Sequence, residues 1–153
     1  MKLRILLGTL AAGAALGACD SSPVEFRCNI PVPKQSAVRG DTVVLASGLR
    51  YIQLRMGTGA TQEPCERVQV HYTLFLGAER LESSRDTDQP ITFTPGLGEL
   101  IPGFEEGVMG MRVGEVRRLI VPPNLAYGSA TSGRIPPNST IIFDIELLAV
   151  QDL

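Results

Sequence analysis

Side chains able to make or break covalent bonds are sparse in this sequence. It holds one histidine, His71, and three cysteines, Cys19, Cys28 and Cys65. A zinc ribbon needs paired Cys-x-x-Cys motifs, which three cysteines and one histidine cannot supply. No GxxxxGK[ST], HExxH or GxSxG occurs, so the phosphate-loop, metalloprotease and hydrolase readings lack their motifs. Gly96-Leu97-Gly98 reads as a turn, because the GxGxxG context is absent. Arg117-Arg118 reads as part of a solvated face. His71 should point away from Tyr72 and reads as a surface residue or one standing behind a site. Lys and Arg number 14 against 16 Asp and Glu, a net −2 that argues against a strongly basic nucleic-acid binder.

The elements that must position any site belong to about one domain. The 153 residues are 44% hydrophobic and 20% charged, enough apolar content for a core and too much for a disordered chain. Lys2 and Arg4 precede an uncharged 14-residue run, Ile5 to Ala18. Fourteen residues are too short for a helix to span a hydrocarbon core of ~30 Å. A positive start, an apolar run and small residues read as a secretory signal over 1–18. The run ends Leu16-Gly17-Ala18-Cys19, which resembles a bacterial lipobox with Cys19 as the lipidated mature N-terminus; the rival is an ordinary leader with an incidental cysteine. One acyl chain anchors only marginally, so this resemblance implies fuller acylation. Removing 1–18 leaves 12 basic against 16 acidic residues, so the anchor and not charge would hold the protein to a membrane. The expected place is the bacterial envelope, facing the periplasm, with inner and outer membrane both open. If Cys19 carries lipid, Cys28 and Cys65 form an even pair in an oxidising compartment. A bridge would close a loop of roughly 37 residues, worth about 4 kcal/mol at most in the chain-entropy treatment. Two free thiols are the alternative.

Residues 19–40 are rich in Pro and Ser, with Pro23, Pro31 and Pro33 opposing a helix, and read as a tether. The pattern changes over 41–153. Thr42 to Leu45, Leu49 to Leu54, Ile91 to Thr94, Glu115 to Val121 and Thr140 to Val150 read as strands. Val68 to Leu76 is the strongest, with Val68, Val70, Tyr72, Leu74 and Leu76 on one face. One short helix fits near Ile101 to Met109. Pro102 suits its first turn, Glu105 and Glu106 its positive end, and Gly110 its stop. Many strands and one helix predict an α+β fold, an antiparallel sheet packed on a short α-helix. No assembly arm is visible, which makes a monomer the default.

The same region carries ordered motifs: Val70-His71-Tyr72-Thr73, Ser83-Ser84-Arg85-Asp86, Gly103-Phe104-Glu105-Glu106-Gly107-Val108 and Met111-Arg112-Val113-Gly114-Glu115. Pro123-Asn124-Leu125-Ala126-Tyr127-Gly128, Ile135-Pro136-Pro137-Asn138-Ser139-Thr140 and Phe143-Asp144-Ile145-Glu146-Leu147 follow. In order and spacing this resembles the FKBP-type peptidyl-prolyl cis-trans isomerases, the macrolide-binding immunophilins. The family fold is a curved antiparallel sheet around one short helix.

The resemblance implies isomerisation of X–Pro bonds in exported proteins, without metal or cofactor. Carried over by position, Tyr72, Leu81, Ile91, Leu100, Ile101, Phe104, Tyr127, Ile135 and Phe143 line the pocket. Phe104 is the floor, where many relatives have Trp. Tyr127 donates its hydroxyl to a substrate carbonyl, and the Ile101 N–H holds a second. Leu81-Glu82 replaces the Phe-Asp of many relatives, with Glu82 as the longer acceptor near the pocket tyrosine. Thr87 stands where an Arg is frequent, and Ile91 where Phe is frequent. Without the resemblance, Phe104, Phe143 and Tyr72 read as core and Tyr127 as a loop cap. The resemblance makes proline-containing polypeptides the partners and a macrolide a candidate ligand. A module that grips proline as a chaperone or docking domain, without turnover, is the second reading.

Overall fold

Residues 40–151 are described by a computed structural model of the protein. The leader, Cys19, Cys28 and nearly all of the tether therefore lie outside the described residues. The strands are β1 (Thr42–Val44), β2 (Arg50–Arg55), β3 (Arg67–Leu76), β4 (Glu79–Ser83), β5 (Ile91–Phe93), β6 (Val116–Val121) and β7 (Ile141–Gln151). The helix α1 is Pro102–Val108. Alternation of apolar and polar residues sets the two faces of the sheet. In β7, Ile141, Phe143, Ile145 and Leu147 are buried, while Ile142, Asp144 and Glu146 are half-buried on the other side.

All strand pairs are antiparallel, in the order β1-β2-β6-β7-β3-β4. One edge of β3 lies along β7; the other is shared by two short strands. There β5 pairs with Val68 to Val70 and β4 with Thr73 to Leu76. The sequence pattern predicts every strand but β4. Glu79-Arg80-Leu81-Glu82-Ser83 carries one apolar residue, too few for a visible period, and only the β3 edge recruits it.

The helix is a weak one made by its packing. Gly103 and Gly107 fall one turn apart and face β6. A Cβ on Gly107 would lie 2.1 Å from Leu119 Cδ1, and one on Gly103 2.4 Å from Val121 Cγ1. The glycines let α1 sit down on the sheet, which brings Phe104 into the core at 3% exposure.

Arg117 corrects the expectation of a solvated Arg117-Arg118 face. It is wholly buried, following the inward alternation of Glu115, Leu119 and Val121. Its Nε and Nη2 donate to Glu115 Oε1 at 3.0 and 2.7 Å. Its Nη1 donates to the Gly107 carbonyl at 2.8 Å, so the side chain ties off the end of α1. The guanidinium also lies 4.4 Å from the centre of the Tyr51 ring. Burial lowers its pKa and the Glu115 carboxylate opposes that fall. Only Arg118 is on the solvated face, where it pairs with Asp144 at 2.6 Å.

Candidate functional site

Between α1 and the inner face of β3 and β7, four aromatic rings meet edge to face. Phe104 lies 5.0 Å from Phe143 and 5.9 Å from Tyr72, both at 87°. Tyr72 is 6.2 Å from Phe143, and Phe93 stands 5.6 Å behind Phe104. Such pairs hold each other's planes and add about 0.5–1.5 kcal/mol each beyond simple burial. Tyr72, Phe104 and Phe143 enclose a hollow of about 200 Å³. Ile91, Leu100, Ile101 and Leu74 complete its apolar wall, with Tyr127 and Glu82 at its polar points.

The polar groups are few and directional. The Tyr72 hydroxyl donates to Glu82 Oε1. Burial and then the Glu82 carboxylate push the phenol up to about 12, so it is a neutral donor at any ordinary pH. No arginine joins Glu82 among the described residues: Arg80 bonds Asp86 and Arg85 bonds Glu146. Tyr127 is 37% exposed, and its hydroxyl has no partner among the described residues. The Ile101 N–H likewise has no acceptor there, because Ile101 is the residue that opens α1. Two unengaged donors thus border an apolar hollow.

The loop leading to Ile101 is held by Glu105. As the sequence suggests, it stands in the first turn of α1, at the helix's positive end; it is 5% exposed and also turns back on the loop. Its oxygens accept the Gly96, Gly98 and Leu100 N–H groups at 2.8, 3.1 and 2.8 Å. Gly96 and Gly98 have φ of +94° and +74°, which a side chain would resist.

Of the residues singled out by sequence, Tyr72, Glu82, Ile91, Leu100, Ile101, Phe104, Tyr127 and Phe143 surround one hollow. Leu81 and Ile135 instead line an adjoining cleft of about 300 Å³ with Arg134 and Ser132, reached across Leu74, Glu82 and Tyr127. Leu74 lines both and was not singled out as a site residue; its place on the Val68–Leu76 face was the available signal. His71 is 7% exposed, not a surface residue; its Nδ1 lies 2.9 Å from Ser84 Oγ. Cys65 is disulfide-bonded, and both other cysteines lie outside the described residues.

The chain is similar to known proteins in sequence and fold. The family described as FKBP-type peptidyl-prolyl cis-trans isomerase matches residues 59–148. The FKBP-type peptidyl-prolyl cis-trans isomerase FkpA of Aeromonas hydrophila is 43% identical over 106 residues, covering 69% of this chain and 39% of that protein. The peptidyl-prolyl cis-trans isomerase Fkbp12 of Drosophila melanogaster is 44% identical over 107 residues, covering 68% of this chain and 99% of the relative. The crystal structure of FkpA from Escherichia coli superposes with a TM-score of 0.65 at 35% identity, over 72% of this chain and 52% of that one. The chain thus spans well under two thirds of the FkpA proteins and nearly all of the insect one.

Proposed function

This chain belongs to the FKBP-type peptidyl-prolyl cis-trans isomerases, and from that premise we propose that it accelerates X–Pro isomerisation in polypeptides through the hollow under Tyr127. The reaction breaks no covalent bond. An amide must rotate over a barrier of ~18–20 kcal/mol, and unaided X–Pro exchange takes tens to hundreds of seconds. At the top of the barrier the amide has lost resonance and much of its polarity. A dry apolar cavity therefore favours the twisted amide over the planar one, the sense of preference that lowers a barrier. Phe104 is the floor under the proline ring, with Phe143 and Tyr72 as walls. Tyr127 and the Ile101 amide hold the flanking carbonyls, and Glu82 keeps the Tyr72 ring in place.

The observation that carries this reading is the pair of unengaged donors, the Tyr127 hydroxyl and Ile101 N–H, beside the aromatic hollow. Exchange NMR on a short X–Pro peptide tests it. Protein from Asp20 onward should speed exchange. Tyr127→Phe should lower kcat/KM about fivefold, the worth of one net hydrogen bond. Phe143→Ala should weaken it further, but Phe143 is only 5% exposed and also belongs to the core. Its truncation therefore also costs about 3–5 kcal/mol of stability. Binding without faster exchange would leave the second reading, a proline-gripping chaperone or docking module. Leu81, Thr87 and a Glu82 without an arginine favour that reading.

A macrolide would compete for the same hollow. The tripartite organisation is part of the proposal: a signal over 1–18, a lipidated Cys19 and tether over 19–40, and the isomerase domain over 41–153. Clients would then be exported proteins, met as a monomer at the envelope membrane. Leu16-Gly17-Ala18-Cys19 supports the anchor, and the bonded state of Cys65 supports an oxidising compartment.

A further inference from the structure

The outer edge of β3 changes partner in mid-strand. Val70 pairs with Ile91 of β5 and Thr73 with Ser83 of β4, so His71 and Tyr72 have no strand beside them on that edge, while β7 pairs with both on the other. Tyr72 turns its N–H and carbonyl into that gap. Buried backbone groups left without partners cost about 1–3 kcal/mol each. Here two serine hydroxyls take the place of the missing strand. Ser84 Oγ accepts the Tyr72 N–H at 2.9 Å, and Ser83 Oγ donates to the Tyr72 carbonyl at 3.0 Å. Ser83 also meets Thr73 Oγ1 at 2.9 Å, and both serines are buried. His71 Nδ1 lies 2.9 Å from Ser84 Oγ, nearer than the Tyr72 carbonyl at 3.3 Å. The imidazole contact and the Tyr72 backbone together fix the Ser84 hydroxyl in the gap.

Glu82, which accepts the Tyr72 phenol, directly precedes these two serines. Three consecutive residues therefore hold Tyr72 at three atoms: its hydroxyl, its carbonyl and its amide. The ring is a wall of the hollow. We propose that Ser84, oriented by His71, is a positioning residue for this site: its hydroxyl holds the Tyr72 backbone across the β3 gap so that the phenol reaches Glu82 at the pocket mouth. This rests on the hollow being the isomerase site, where a misplacement of about 1 Å is enough to cost much of the rate.

The test uses the full chain, a short X–Pro peptide and tyrosine labelled with 13C at Cζ. Ser84→Ala should lower kcat about fivefold, one net hydrogen bond, with a smaller change in KM. The Tyr72 Cζ resonance should shift as its bond to Glu82 loosens, while that of Tyr51 stays put. Ser84→Thr keeps the hydroxyl and should restore both readouts. If Ser84→Ala does not fold, Ser84→Cys makes the same comparison with a group of similar size and weaker hydrogen bonding. Wild-type kcat with an unmoved Tyr72 signal in Ser84→Ala would overturn the proposal. So would equal impairment of the Ala and Thr variants in step with their loss of Tm. An inactive wild type would remove the isomerase reading alone, and the Tyr72 signal in Ser84→Ala would still decide the positioning role.

Discussion

Tyr72 concentrates several roles in one side chain: wall of the hollow, donor to Glu82 and edge contact to Phe104 and Phe143. Its pKa is raised from 10.0 to about 12 in the folded protein, by burial first and by Glu82 second. A raised value means that the folded state holds the phenolic proton longer than the unfolded chain. The stabilisation is complete below pH 10 and is lost as pH rises toward about 12. Denaturant melts across that window should show wild-type stability falling faster than that of Tyr72→Phe; equal slopes would contradict the assignment. Glu82 was legible from sequence as a longer stand-in for an aspartate, and it does reach the phenol. The Ser83 and Ser84 contacts were not legible, because the gap they fill exists only once β4 and β5 share one edge of β3.

At the scale of elements, α1 exists by virtue of what it rests on. Two glycines in seven residues each cost about 1 kcal/mol relative to alanine, and a two-turn helix is marginal alone. Packing on Leu119 and Val121 supplies the rest. Gly107→Ala improves helix propensity yet drives a methyl into the fully buried Leu119. It should destabilise the protein by about 1–3 kcal/mol, read as a lower urea midpoint; an unchanged or higher midpoint would contradict this contact. The same element explains Arg117. Its place on the inward face of β6 was readable from the alternation of Glu115, Arg117, Leu119 and Val121. That a charge could stand there was not readable, since Glu115 and the carbonyls at the end of α1 converge on it only in three dimensions.

For the molecule as a whole, the proposed anchor makes the sharpest prediction. Cys19→Ser should move the protein from the membrane to the soluble fraction of fractionated bacteria, and continued membrane retention would contradict lipidation. Cys65 already has a disulfide partner, and peptide mapping of unreduced mature protein should identify it as Cys28. The chain covers 99% of the Drosophila relative but 39% of the Aeromonas one, so family membership rests on the isomerase domain that all of them share.

Alternating patterns and ordered motifs sufficed for the α+β class, most of the strands, the helix and the aromatic set at 72, 104, 127 and 143. Period and motif are local quantities, and a chain writes them down in order. Tertiary structure decided the rest: the β4 edge, the buried Arg117, the serine hydroxyls beside Tyr72 and the separation of Leu81 and Ile135 into a neighbouring cleft. Those features depend on which groups remain without partners after the sheet has formed, and distant segments settle that together.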